Sequence, residues 1–247
     1  MGSLFEKWKK GLKKKVHPFC TAIVPAAGKS SRMGGEDKMF APLCGVPVLA
    51  RTLTVLDQAV LVDEIVVAAQ PEKLEEVAAL VSSAGIRKPV RVVEGGASRA
   101  ESVLLAALEA NEDAEYLAVH DGARPLVLPE QVDDLIHLGQ RTYAVAPAVP
   151  VTDTVKVADL SGLVLSTPDR STLFAVQTPQ VFQANLLKAA LQSAIAAEAP
   201  LTDDCSAVER LGKEVYLTPG WRENIKITTP EDLSVAELFL RRREVQA

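Results

Sequence analysis

The chain has 247 residues, of which 48% are hydrophobic and 24% charged, with a formal net charge of −5. That length carries one α/β domain with a full core, or at most two, and no nucleic-acid partner is expected of it. Cys20, Cys44 and Cys205 are widely spaced without a C-x-x-C pair, which excludes a disulfide framework or a zinc cluster and points to the cytoplasm. No run approaches the roughly 18 apolar residues of a membrane span, so no stable membrane insertion is expected.

Residues 1–20 read as a basic N-terminal extension. Lys7, Lys9, Lys10, Lys13, Lys14 and Lys15 against Glu6 give residues 1–15 a charge of 6 − 1 = +5, so the remainder carries −10. Leu4, Phe5, Trp8 and Leu12 stand at near-helical spacing. The segment is thus a solvated extension or a basic amphipathic helix on an anionic surface.

Residues 21–247 form a single domain. A strand at Ala22–Pro25 runs into the small-residue loop Ala26-Ala-Gly-Lys-Ser-Ser-Arg-Met-Gly-Gly-Glu-Asp-Lys38. Ala26, Ala27, Gly28, Ser30 and Ser31 let backbone N–H groups approach phosphate oxygens as an anion-binding nest. Arg32 and Lys38 supply two cations to what reads as a triphosphate cradle. The loop matches neither the Walker A pattern nor G-x-G-x-x-G, and its bland alternative is a Gly/Ser turn with two solvated cations.

Further strands are expected at Glu64–Ala69, Val90–Glu94, Leu117–His120 and Ala144–Ala148. Helices are expected near Pro47–Leu56, Pro71–Ala84, Arg99–Ala110 and Pro129–Gly139. Short β-branched runs alternating with helical periods imply stacked βαβ units on a mainly parallel sheet. Ser98 followed by Glu101 has capping-box spacing, which makes Gly95-Gly96 the entry turn of the third helix. The turn with Gly96, Arg99 and Ser102 suits the edges of a base or ribose, or is simply a capped turn. His120-Asp-Gly-Ala-Arg-Pro125 puts an acid at the ligand edge, where a carboxylate holds a divalent ion or accepts substrate hydroxyls. Asp121 and Arg124 alternatively pair with each other, and His120 reads as a packed strand residue.

The second half breaks this rhythm. Pro150 to about 170 reads as a protruding β-hairpin, which has little core of its own and needs a partner surface. Helices are expected near Ala184–Ala197, over the stretch that begins Leu201-Thr202-Asp-Asp, and from Pro230. Lys226 is assigned to a short strand, with a snorkelling edge lysine as its alternative.

Seven segments in order resemble the 2-C-methyl-D-erythritol 4-phosphate cytidylyltransferase family, from about Thr21 to the final helix. They are P-A-A-G-x-x-x-R-M-G with its following lysine, G-G-x-x-R-x-x-S-V, H-D-G-A-R-P, V-x-D-T-V-K, D-R before T-P-Q-x-F, T-D-D, and N-I-K-I-T-x-P-E-D. The resemblance implies the nucleotidyltransferase fold: α/β, a Rossmann-like mainly parallel sheet with helices on both faces and a protruding β-hairpin dimerisation arm. It implies transfer of CMP from CTP to 2-C-methyl-D-erythritol 4-phosphate with release of pyrophosphate. On the family's pattern Arg32 and Lys38 stabilise the transition state. Arg170, Lys226, Asp121, Thr154, Thr202 and Arg124 position the acceptor, and Ala26, Ala27, Gly28, Gly96, Arg99 and Ser102 bind CTP. Mg²⁺ is expected mainly on the CTP phosphates with help from Asp121, and a homodimer is expected through the arm. The chain departs from the pattern at Asp37-Lys38-Met39, where the family has Pro-Lys-Gln. M-G-x-x-D-K is shared with the molybdopterin nucleotidyltransferases, and a ribitol-5-phosphate cytidylyltransferase differs mainly in the polyol pocket.

Overall fold

The computed structural model of the chain describes residues 17–28 and 37–246. The extension up to residue 16 and the loop residues 29–36, Arg32 among them, lie outside the described residues.

The strands that build the main sheet are β1 (Cys20–Pro25), β4 (Glu64–Ala69), β5 (Val90–Glu94), β6 (Tyr116–Val119), β7 (Ala144–Pro150), β10 (Phe174–Val176), β11 (Gln180–Gln183) and β12 (Tyr216–Pro219). Their order is β10-β7-β11-β6-β1-β4-β5, with β12 on β7. β1 pairs in parallel with both β4 and β6, and β4 with β5, whereas β10 and β11 run antiparallel to β7. The chain leaves β1 for β4 and β5 on one side and returns as β6 on the other. This makes the carboxyl end of β1 a topological switch point, where open α/β sheets take their ligands.

Both faces are covered, which is why the central strands are almost wholly apolar: every residue of β4 is buried, including Glu64, whose carboxylate accepts the Thr21 hydroxyl at 2.8 Å. Side chains alternate between two cores. Val24, Val67 and Ala118 meet Leu49, Leu53 and Leu56 of α1 (Val48–Gln58) and Leu135 of α4 (Pro129–Thr142). Ile23, Val66 and Leu117 meet Val103 of α3 (Arg99–Leu108) and Leu187 and Leu191 of α5 (Ala184–Ala196). The remaining helices are α2 (Leu74–Ser83), which a 3₁₀ turn at Pro71–Lys73 precedes, α6 (Asp204–Arg210) and α7 (Pro230–Gln246).

The expected β4 and β5 are observed with the same ends. β1 begins two residues earlier than expected, because Asp63 accepts the Cys20 N–H at 2.9 Å and extends the ladder. Lys226 is a correction, since residues 224–229 form no strand. Its backbone is tied instead to the loop after β6, through the Ile227 N–H on the Ala123 carbonyl at 2.8 Å. Between β7 and β10, β8 (Val157–Ala158) pairs antiparallel with β9 (Val164–Ser166) as a separate two-stranded ladder. The short hairpin β2 (Pro42–Leu43) and β3 (Val46–Pro47) leads into α1. Among the described residues no helix is long and apolar enough to cross a membrane.

Candidate active site

A cavity of about 590 Å³ opens where β1, β4, β5 and β6 end. It collects Ala27 and Gly28 after β1, Gln70 after β4, Gly95 to Arg99 after β5, and Asp121 to Ala123 after β6, with Lys38 and Lys226 among its walls. Lys38 sits in a turn that Asp37 closes, its carboxylate accepting the Met39 N–H at 3.0 Å and its carbonyl accepting the Phe40 and Ala41 N–H groups. The Asp37-Lys38-Met39 departure thus carries its own turn chemistry and still delivers the lysine to the cavity.

The expected cap at the start of α3 forms with one change. Ser98 Oγ accepts the Glu101 N–H at 3.1 Å, but the Glu101 carboxylate reaches back to the Ala97 N–H at 2.7 Å rather than to Ser98. Ser102 Oγ accepts the Gly96 N–H at 3.1 Å and donates to the Ser98 carbonyl at 2.8 Å. Its hydroxyl therefore closes the turn as well as lining the cavity. Gly95 is required by close approach: a Cβ there would stand 2.5 Å from Ala27 Cβ, 3.0 Å from Ser102 Oγ and 3.2 Å from the Ala69 carbonyl oxygen. Gly95→Ala is expected to displace Ala27 and to lower stability by about 1–3 kcal/mol, the ordinary cost of overpacking. Urea unfolding of the variant checks this, and a parental midpoint would show that the turn gives way without cost.

Asp121 is the electrostatic hub. It is 7% exposed, and three cations share its carboxylate: Lys226 Nζ at 2.8 Å, Arg99 Nη2 at 3.3 Å and Arg124 Nε at 3.5 Å. Burial alone would raise its pKa, but the Arg99, Lys226 and Arg124 charges override that and hold the carboxyl well below the usual carboxylate range. Asp204 takes the other arm of Arg99 at 2.8 Å, and burial nonetheless pushes its carboxyl up. Its Oδ1 is buried without a hydrogen-bond partner.

His120 is fully buried directly behind this hub. Burial pushes its pKa down from 6.5 to about 4, which keeps the imidazole neutral at physiological pH. An unfolded chain therefore binds more protons than the folded one between pH 6.5 and about 4, so stability is expected to fall as pH drops through that window. Urea unfolding midpoints measured across it check the sign. A midpoint that stays constant would mean that His120 is not held neutral.

The cavity brings together Ala27, Gly28, Lys38, Gly96, Arg99, Ser102, Asp121 and Lys226 of the expected residues. Ala26 lies just beneath, its N–H bonded to the Ala68 carbonyl at 2.7 Å. Arg124 sits behind Asp121 and donates to the Asn224 carbonyl at 2.7 Å. Thr202 lines a neighbouring cavity of about 260 Å³ that shares Ser98 and Arg99 with the first. Thr154 and Arg170 are exposed beside the β8–β9 ladder and line neither cavity. Sequence reasoning missed Gln70, whose amide reaches the Gly28 carbonyl at 3.3 Å. A lone glutamine before a proline carries no pattern that would have flagged it. Asp204 and Thr178 lie inside the T-D-D and T-P-Q segments, where the resemblance gives a role to Thr202 alone.

A sequence profile of the 2-C-methyl-D-erythritol 4-phosphate cytidylyltransferases matches residues 20–242. The chain belongs to this family. The family's enzyme from Nocardia farcinica is 46% identical over 224 residues, 90% of this chain and 94% of that protein. That from Caldanaerobacter subterraneus subsp. tengcongensis is 42% identical over 224 residues, covering 90% and 99%. Among solved structures, the 4-diphosphocytidyl-2C-methyl-D-erythritol synthase of Anaerococcus prevotii superposes with a TM-score of 0.77 at 29% identity, covering 90% of this chain and 98% of that one. The cytidylyltransferase of Thermus thermophilus gives 0.73 at 30%, covering 90% and 99%. For a member of the cytidylyltransferase family, the metal question turns on Asp121. Among the described residues no cluster of His, Cys, Asp or Glu is arranged to hold a metal ion. Asp121 fits that task poorly, because three cations already surround its carboxylate and would repel a fourth.

Proposed function

We infer that the chain transfers CMP from CTP to 2-C-methyl-D-erythritol 4-phosphate, giving 4-diphosphocytidyl-2-C-methyl-D-erythritol and pyrophosphate for isoprenoid precursor biosynthesis. The observation that carries this, beside family membership, is the joining of a small-residue loop and Lys38 to Lys226 and Asp121 in one cavity. A phosphate oxygen of the acceptor attacks the α-phosphorus of CTP, and the bond from that phosphorus to the bridging oxygen breaks. The electron pair leaves with pyrophosphate, and no proton need be removed from the nucleophile. Charge repulsion at phosphorus is then the main barrier, so preorganised cations are the chief means of lowering it. Arg32 and Lys38 have the role of stabilising the charge that develops on the α-phosphoryl group, while Lys226 and the Arg170 of a second copy hold the acceptor phosphate in line. Asp121, kept ionised by its neighbours, accepts hydrogen bonds from the polyol hydroxyls, Arg124 braces Asp121 from behind, Thr202 serves the acceptor from the adjoining cavity, and Thr154 serves the site of a second copy. Ala26, Ala27, Gly28, Gly96, Arg99 and Ser102 form the CTP side. Mg²⁺ belongs with the nucleotide phosphates rather than with this chain's carboxylates. The reading places the reaction in the cytoplasm, in keeping with Cys20, Cys44 and Cys205 all being free thiols.

Pyrophosphate release from CTP and Mg²⁺ tests this reading, with methylerythritol phosphate compared against ribitol 5-phosphate. Preference for the first is expected. Preference for ribitol 5-phosphate would overturn the acceptor assignment.

The reading includes a homodimer. Leu160, Leu163, Val164 and Leu165 are exposed on the β8–β9 ladder, with Phe174 and Val176 exposed nearby. A ribbon of this size buries too little apolar surface to be stable alone, which favours a second copy as its cover. If Arg170 serves the partner's cavity, Lys38→Ala and Arg170→Ala chains are each inactive alone but restore one intact site when mixed. Recovery of up to about half the parental activity per heterodimer is expected from this symmetry. Verified heterodimers without turnover would place Arg170 in its own chain's site.

A further inference from the structure

We propose that His120 is a positioning residue, which cross-ties the turn carrying Asp121 to the segment carrying Lys226. The hydrogen-bond chemistry leaves one arrangement. His120 Nε2 lies 3.0 Å from the Arg124 carbonyl oxygen, which can only accept, so Nε2 carries the proton. Thr178 Oγ1 already accepts the Asp121 N–H at 3.0 Å, which leaves its own proton for His120 Nδ1 at 2.9 Å. A directed chain therefore runs from the Asp121 backbone through Thr178 and the imidazole to the Arg124 backbone. It closes the loop 120–124 upon itself, with the Arg124 N–H on the Asp121 carbonyl at 3.0 Å.

The same residues reach the Lys226 segment. Asn224 Nδ2 donates to the Thr178 carbonyl at 2.9 Å, Arg124 Nη1 donates to the Asn224 carbonyl at 2.7 Å, and the Ile227 N–H donates to the Ala123 carbonyl at 2.8 Å. The 2.8 Å pair between Lys226 and Asp121 is the exposed end of this frame. His120 itself does not line the cavity. Its loss leaves the Thr178 hydroxyl proton without an acceptor and the Arg124 carbonyl without a donor in a buried site, and the turn shifts to satisfy them. Lys226 and Asp121 then lose their mutual placement, while the wall at Gly95–Ser102 keeps the hydrogen bonds of its own turn and the 2.8 Å pair of Arg99 with Asp204, and so moves less.

This inference rests on the cytidylyl-transfer reading, so parental turnover is measured beside each variant. His120→Leu removes both links, whereas His120→Gln keeps an N–H in reach of the Arg124 carbonyl. His120→Leu is expected to raise the KM for methylerythritol phosphate by about tenfold, since only part of the cost of the two lost hydrogen bonds reaches the Lys226–Asp121 pair, with the KM for CTP changed less. His120→Gln is expected to recover part of that loss. Thermal unfolding establishes that each variant is folded. If His120→Leu does not fold, His120→Gln against His120→Asn carries the comparison. Independently of activity, ¹⁵N spectra of the three histidines are expected to show one imidazole protonated only at Nε2. Protonation at Nδ1 in the buried ring, unchanged KM in a folded variant, or a fall in kcat with both KM values unchanged would each overturn the proposal. A parent without turnover would instead sink the functional reading and leave the tautomer result to decide this one.

Discussion

Lys38→Ala is expected to lower kcat on the order of 10²-fold or more while raising the KM for CTP far less, by analogy with removal of a preorganised charge-stabilising donor. Lys38 lines the same cavity as Ala27, Gly28 and Asp121. Charge builds on the α-phosphoryl oxygens as the new bond forms, and an interaction that strengthens in that direction shows in kcat rather than in ground-state affinity. Arg32 belongs to the same motif and the same expectation, although it lies outside the described residues. Steady-state kinetics with both substrates varied checks this. Normal turnover by Lys38→Ala would pass the catalytic role to another cation and make the Asp37–Phe40 turn a structural feature alone.

Asp121→Asn is expected to damage stability and activity together. The substitution keeps the shape but removes the charge that Arg99, Arg124 and Lys226 share. Breaking a buried ion pair from one side typically costs about 3–5 kcal/mol, because the remaining charge stays uncompensated. Lys226 and Arg99 both reach solvent and Arg99 keeps Asp204, so the lower end of that range is expected. The urea midpoint should fall at unchanged m, and kcat/KM should fall because Lys226 is no longer held over the cavity. Parental values for both would show that the three cations are stabilised elsewhere.

Much of the site was legible because its chemistry is local in sequence. The small-residue loop after β1, the Gly95–Ser102 turn and the Asp121–Arg124 turn each hold their polar residues within a few positions, and each follows a strand recognisable by its apolar run. β4 and β5 begin and end where their patterns do, since both are flanked by turn residues and covered on both faces. The pattern around Lys226 predicts a short strand, and none forms there. Its alternation resembles a strand's, but its backbone partners are the Ala123 carbonyl and side chains from distant segments. Such contacts leave no periodic trace. The same holds for Asp204 on Arg99, a pair 105 residues apart.

By itself the sequence determined the βαβ order, the loops that meet at the sheet's ligand edge, and the family, because periodicity and motif spacing are properties of short segments. Only the tertiary structure decided what each polar group faces. It made Asp121 the shared partner of three cations, turned the Ser102 hydroxyl inward to close a turn, and buried His120 between Thr178 and Arg124. The physical reason is that a buried polar group must find its partner in three dimensions. The chain that supplies the partner is chosen by sheet order, which here brings residues 120–124, 177–178 and 224–227 together.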